Sequence, residues 1–343
     1  MACTHEAWWS WMTLPAFDLC VAPYELHAFV DRWWERKPLL IKRRDIYRFH
    51  RLITRSSFDD LVAHTNLRIP FFRLFRDGRP IPESACTTSR QVGRNTDFGL
   101  ADLNSVYDGF NEGATVVLTA LEKVHLPLTQ LCFELETVFR CPFQAYAFLA
   151  PPEARGPPAH YDTRDVFVLQ VEGSKYWRIW SDPSPLPMPV SENAYDHDAV
   201  IRFTENNTPI LEVLLEPGDS LYLPRGFIHA AETSADFSLH LSISAMVVRW
   251  LDVVDTGVNE ALASLKSDRE AQRAFAFGRL PGEPTARVDD DAVVALAARL
   301  VAGLSVDQLM AIAKRSSEPA PCGSRSGALL DRLKGEATFT TAS

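Results

Sequence analysis

Between residues 143 and 248 the chain is written in short runs of Val, Ile, Phe, Tyr and Trp, among them VFVLQVEGSKYWRIW, PILEVLLEPGDSLYLP and FSLHLSISAMVV, separated by Gly, Pro, Asp and Ser. Runs this short, with turns between them, do not give the strand–helix alternation of a parallel sheet. They predict many antiparallel strands closed into a sandwich or barrel. One hairpin is expected inside DVFVLQVEGSKYWRIW, turning at Gly173.

The flanks read differently. YELHAFVDRWWER (24–36) has apolar groups at helical spacing, LLIK (39–42) is a short strand, and SFDDLVAHT (57–65) is a helix with Ser57 near its N-cap. FFRLFRDGRPIP (71–82) alternates and turns at Asp77-Gly78, a hairpin signal. Residues 100–139 predict a helix, a short apolar run and a longer helix. After Trp250 come three more helical stretches, the last opened by Ser305 and Asp307, and from Ser316 the chain is rich in Ser, Pro and Gly. The expected organisation is a helix-and-strand region (1–142) that completes the barrel, a barrel core (143–250), a helical region (251–315) and a loose tail (316–343).

Composition narrows the partners. A net charge of −9 over 343 residues disfavours nucleic acid, whose phosphates call for a basic face. The six cysteines are scattered without a C-x-x-C pair, so neither a zinc ribbon nor a disulfide framework is expected. MACTHEAWWSWMTLPAF is not a secretory signal, and no apolar stretch reaches the ~20 residues of a membrane span. The expectation is a cytoplasmic protein that does not meet the membrane.

Within the strand-rich block stands AHYDTRDVFVLQ. His160 and Asp162 are two apart, so on a strand their side chains leave the same face. A bare H-x-D is a weak signal. Here, however, a second histidine, His229, recurs 67 residues after Asp162, behind the strand-and-turn unit GDSLYLPRGFIH. Two histidines and one carboxylate on one face of an octahedron leave three positions open, which suits non-haem iron(II). A 2-oxo acid can fill two of them and dioxygen the third. Zinc tolerates the same ligands but gains nothing from the open positions. Lys175, just past Gly173, is placed to meet the far carboxylate of such an acid. Arg155, Arg164 and Asp165 read as mouth-side charges. Asp196, His197 and Asp198 are adjacent rather than alternate, a poor pattern for a second metal.

These residues resemble a known family. HYD…VFVLQVEGSKYWRIW followed by GDSLYLPRGFIHAAETS is similar to the JmjC oxygenases, and WWERKPLLIK (33–42) and FRDGRPIP (75–82) resemble its ribosomal oxygenase branch. The resemblance spans roughly residues 25–250. It implies a mainly β fold, a double-stranded β-helix (cupin-like) barrel with flanking helices. It also implies that His160, Asp162 and His229 bind Fe(II), and that Lys175 holds 2-oxoglutarate with help from Ser242. His240 and Ser244 lie two residues to either side of Ser242 on one strand face. Where the family often carries Asn-x-Tyr in the pocket, this chain has Tyr146 and Phe148. The C-terminal part is shorter than in that branch, though 251–315 could supply a dimerising helix pair.

The implied reaction consumes O2, decarboxylates 2-oxoglutarate to succinate and hydroxylates a side chain of a peptide or protein. Four alternatives stay open: a hydroxylase that tailors a peptide natural product, demethylation of a methylated lysine, a zinc hydrolase or isomerase on the same barrel, and a metal-binding cupin without turnover.

Overall fold

In chain order, α1 (Pro15–Val21) and α2 (Leu26–Arg32) precede β1 (Leu39–Ile41) and α3 (Arg55–His64). The computed structural model describes residues 15–181, 185–188, 196–269, 271–272 and 290–316, so the expected tail beyond Ser316 lies outside the described residues. Helix α2 stops at Arg32, four residues before the sequence expectation, because packing claims the tryptophans. Trp34 stacks on Phe139 at 4.5 Å and on Tyr222 at 5.7 Å. Helix α3 starts earlier than expected. Thr54 is its N-cap and Ser57 its third residue, in a reciprocal capping box: the Ser57 amide donates to Thr54 Oγ1 (3.2 Å) and the Thr54 amide to Ser57 Oγ (2.8 Å).

Strands β2 (Phe72–Arg76) and β3 (Arg79–Pro80) form the expected hairpin, with Asp77 and Gly78 at φ of 50° and 73°. Strands β4 (Thr87–Val92) and β5 (Asn95–Ala101) form a separate ribbon. Sequence reasoning missed it because β4 is almost wholly exposed and carries no apolar alternation. Then come α4 (Leu103–Asn111), β6 (Thr115–Leu118) and α5 (Leu126–Phe139), in the expected order. Asp102 caps α4 through the Asn104 and Ser105 amides. Helix α5 buries Leu128, Leu131, Cys132 and Leu135, one face at helical spacing, and packs along β7 (Phe143–Ala150).

The remaining strands are β8 (Asp165–Ile179), β9 (Leu211–Leu215) and β10 (Ser220–Leu223), then β11 (His229–Ala245), with α6 (His197–Asn206) between β8 and β9. They join one antiparallel sheet in the order β1-β10-β8-β11-β7-β6-β2-β3, with β9 also on β8. The hairpin expected at Gly173 is not there. Strand β8 runs through it, and its two halves pair not with each other but with successive halves of β11. Val166–Leu169 also pair with β10, whereas Lys175–Ile179 pair with β9. Val166 and Val168 from the first half nevertheless share an apolar cluster with Trp177, Ile179, Leu215, Leu221 and Leu223. The two halves of β8 thus face each other across a core. Gly173, at φ of 60°, supplies the bend, and a Cβ there would collide with the Phe237 carbonyl.

The described residues fall into two compact units, one ending at Met246 and one beginning at Val247. The second holds α7 (Trp250–Leu265), α8 (Asp290–Ala302) and α9 (Val306–Ser316), with α7 packed on the other two. Among the described residues no single helix is long and apolar enough to cross a membrane. Cys20, Cys86, Cys132 and Cys141 are buried free thiols; Cys3 and Cys322 lie outside the described residues.

Candidate metal centre

His160 lies ahead of β8 and His229 opens β11, and a two-bond bridge ties their backbones together. The His160 amide donates to the His229 carbonyl (3.1 Å) and the His229 amide returns the bond (2.8 Å). Side chains of directly paired residues leave a sheet on the same face, and the two imidazoles sit with centroids 4.4 Å apart. Asp162, two residues on, follows the same face. Its carbonyl accepts from the Gly226 amide (2.9 Å), which holds it to the turn leading into His229. One potential ligand atom from each of the three lies within 4.8 Å of the others, and His229 Nε2 is 3.8 Å from Asp162 Oδ2.

Both imidazoles are oriented by a backbone carbonyl at Nδ1. His160 Nδ1 lies 2.9 Å from the Pro158 carbonyl and His229 Nδ1 3.1 Å from the Phe227 carbonyl. A carbonyl only accepts, so each Nδ1 carries a hydrogen, and it is Nε2 of each ring that is left to offer a lone pair to a metal. Burial, helped by the neighbouring His160, pushes the His229 pKa down to about 4, so it is neutral around pH 7. Behind both histidines lies α6. Val200 and Phe203 pack with Trp180, Ile228 and the residues flanking the histidines, Ala159, Tyr161 and Ala230. This helix therefore backs the candidate ligands. Asp196 caps this helix by accepting from the Ala199 amide (2.8 Å).

Inside the cluster of β8 and β11 lie Lys175, Trp177 and His240. Lys175 is 4% exposed, and burial lowers its pKa to about 8. It pairs in register with Thr233 and Leu215, not with the H-x-D segment. No described residue gives it a hydrogen bond or an ion pair. Trp177 spans the interval: its ring is 5.9 Å from that of His229 and 5.7 Å from that of His240. Its indole N–H and His240 Nδ1 are both buried without a partner among the described residues. His240 is held flat against Phe148 (4.7 Å, 5°), and burial, with Lys175 nearby, drives its pKa far below the imidazole range. Ser242 pairs with Tyr146 and Val168, and Ser244 with Gln144 and Val166, one face further along. The Tyr146 hydroxyl donates to Gln144 Oε1 (2.5 Å), and Arg164 donates to both. Sequence reasoning did not single out Trp177; its signal was the i+2 spacing from Lys175.

It also misplaced Asp165. Expected as a mouth-side charge, Asp165 is fully buried and accepts from Tyr222 Oη (2.7 Å) and Arg225 (2.6 Å). Arg225, from the turn before His229, reaches Glu35 with its other nitrogen (2.5 Å). Burial raises the Asp165 pKa against the pull of Tyr222 and Arg225. These bonds tie the start of β8 to the turn before β11, and so fix the two halves of the ligand set to each other. Arg155 is exposed and Arg164 half-buried.

Residues 123–253 match the JmjC domain family. Over 252 residues the chain is 31% identical to the bifunctional lysine-specific demethylase and histidyl-hydroxylase NO66 of Aedes aegypti, covering 72% of this chain and 37% of that protein. It is 30% identical over 230 residues to ribosomal oxygenase 2 of Mus musculus, covering 66% and 46%. The chain thus spans less than half the length of these relatives. In three dimensions it is similar to Escherichia coli ycfD, with a TM-score of 0.53 at 17% identity over 83% of this chain and 69% of that one. A structure of the same Escherichia coli ribosomal oxygenase with cobalt and succinic acid gives 0.51 at 17% identity, over 84% and 69%. At this identity the likeness is one of fold.

Proposed function

Residues 123–253 are a JmjC domain, and on that premise we propose that the chain is an Fe(II)- and 2-oxoglutarate-dependent oxygenase that hydroxylates a side chain of a peptide or protein. The observation that carries this reading is Lys175. A buried ammonium without a partner is costly, and here it lies on the strand that places Trp177 beside His229. A dicarboxylate reaching from the metal cluster to Lys175 removes that cost.

The donor set fits the metal: two imidazoles held by carbonyls at Nδ1, so that Nε2 of each can serve as donor, and a carboxylate, within one ion's reach. We assign His160, Asp162 and His229 as its ligands. Fe(II), when bound, supplies the activation of O2 that couples decarboxylation of the oxo acid to hydroxylation of a C–H bond. The chain's own residues do the rest. Lys175 anchors the distal carboxylate and sets the length of acid the pocket accepts. The Trp177 N–H and His240 Nδ1 offer further polar contacts along it, and Phe148 fixes the plane of His240. Ser242 and Tyr146, paired next along the same face as His240 and Phe148, line the adjoining part of the pocket. The carbonyls of Pro158 and Phe227 hold the two ligand tautomers.

The same reading gives the sheet its closure. The first half of β8 lies with β10, the second half of β11 and β7, and the second half of β8 with β9 and the first half of β11. We read these as the two layers of a double-stranded β-helix with the helical region from residue 251 appended. A protein substrate is favoured by the names of the relatives, a histidyl-hydroxylase and ribosomal oxygenases.

The test is spectroscopic and chemical. Adding Fe(II) and 2-oxoglutarate without oxygen should raise a weak visible charge-transfer band, and admitting air should release succinate. Both should vanish in His160→Ala. Absence of band and succinate in the parent protein would reject the enzyme. Mass spectrometry of candidate proteins for the gain of one oxygen, with His160→Ala as control, then identifies the target.

A further inference from the structure

Arg164 stands two residues past Asp162, and its surroundings are unusual for a half-buried guanidinium. Its Nη1 donates to Gln144 Oε1 (2.8 Å) and to the Tyr146 hydroxyl (3.1 Å), and Tyr146 donates to the same Gln144 oxygen (2.5 Å). Both partners are neutral, and no described carboxylate is paired with it. Arg225, a few residues from His229, is by contrast met by Asp165 and Glu35. The position is not incidental to the pocket. On β7 the alternating row Phe148, Tyr146, Gln144 lies opposite His240, Ser242 and Ser244, the face proposed above to line the cosubstrate and substrate. Arg164 closes that row at the end where Gln144 and Ser244 meet Val166, four residues past Asp162.

One nitrogen of Arg164 is fixed by the Gln144–Tyr146 pair, and the rest of its fork is left to something the described residues do not supply. A planar fork with fixed orientation is suited to the two oxygens of a carboxylate. We propose that Arg164, oriented by Gln144 and Tyr146, binds a carboxylate of the substrate, so that the target is an acidic residue, a residue next to one, or one near a free chain terminus. This rests on the oxygenase reading above. It sets the chain apart from a relative named for a histidyl side chain, because the guanidinium repels a cationic or imidazolium target. It also inverts the expectation from net charge, which would match an acidic protein with basic partners.

The experiment measures binding without turnover. The full chain, loaded with Mn(II) and the unreactive mimic N-oxalylglycine, is titrated with fluorescein-labelled, C-terminally amidated peptides. Their central residue is Asp, Glu, Asn, Gln or Arg, and a parallel set carries a free C-terminal carboxylate. Acid-centred peptides should bind at least about tenfold more tightly than their amide counterparts. A preference that follows the free terminus instead assigns the carboxylate to the chain end. In Arg164→Gln either preference should disappear, and in Arg164→Glu the Arg-centred peptides should bind best. Equal binding of acid and amide peptides to the parent, no peptide binding, or a preference that survives Arg164→Gln would overturn the proposal. So would a matching loss of N-oxalylglycine affinity in Arg164→Gln, which would reassign the arginine to the cosubstrate. Calorimetry separates the two levels. Failure of Mn(II) and the mimic to bind rejects the oxygenase reading itself, whereas their binding with indifferent peptides rejects only the role of Arg164.

Discussion

Two buried cations stand on the segments that carry the candidate metal ligands, Arg225 in the turn before His229 and Lys175 on β8, and the chain treats them in opposite ways. Arg225 and Lys175 are each 4% exposed. Arg225 meets Asp165 and Glu35, with Tyr222 completing the shell of Asp165. Lys175 meets no described acceptor, beside two further polar atoms, on Trp177 and His240, that also lack partners. A saturated buried charge does its work within the fold, and an unsaturated one points to a ligand. The comparison can be broken by experiment in two places and sharpened in a third.

The largest effect is expected at Arg225. Removing one partner from a buried pair strands the other, so Arg225→Met should cost about 3–5 kcal/mol of stability in denaturant titrations. Adding Asp165→Asn should return part of that. A loss under about 1 kcal/mol would show that Arg225 is not holding the two ends of the ligand set together.

Lys175 should behave in reverse. Its pKa falls from 10.5 to about 8 on folding. Between these values the unfolded chain binds a proton that the folded chain lacks, so the ligand-free protein should gain stability as pH rises through that window, by about 3 kcal/mol in all. Below pH 8 the full penalty of the buried charge is present. Lys175→Met should flatten this rise and be the more stable protein at pH 7, while its affinity for 2-oxoglutarate drops about a hundredfold. A variant that is destabilised at pH 7 and still binds 2-oxoglutarate would place Lys175 with Arg225.

The smallest effect sharpens the comparison rather than testing it. Trp177→Phe keeps most of the ring and removes the buried N–H. If that group serves the ligand, affinity should fall a few-fold, about 1 kcal/mol, with stability unchanged or slightly raised, since an orphaned donor is gone. A stability loss without an affinity change would make the indole a packing residue alone.

How much of this could be read in the sequence follows from what sets each feature. The spacing of His160 and Asp162 and the turn before His229 are local properties, and a period of two is enough to put side chains on one face. The hairpin in β2 and β3 was legible for the same reason. Strand partners are not local. The glycine at 173 marks a bend in any topology, and nothing nearby says whether the chain folds back on itself or passes to a second layer. Asp165 was invisible as a buried group because its partners, Tyr222 and Arg225, are distant in sequence, as is Glu35, which Arg225 also meets. Arg164 and Asp165 are neighbours of opposite charge, and the sequence gives no reason to bury one and leave the other half-open.

The backbone bridge between His160 and His229 has a consequence for biosynthesis. A chain emerging N-terminal end first presents His160 and Asp162 long before the third ligand, which arrives with the strand that also supplies partners for both halves of β8. Until that strand is made, β8 has neither its neighbour nor its bend partner at Phe237. A truncated nascent chain ending before His229 thus offers an ion only two of the three ligands. Assembly of the proposed ligand set and completion of the sheet become a single late event, timed by translation of one strand.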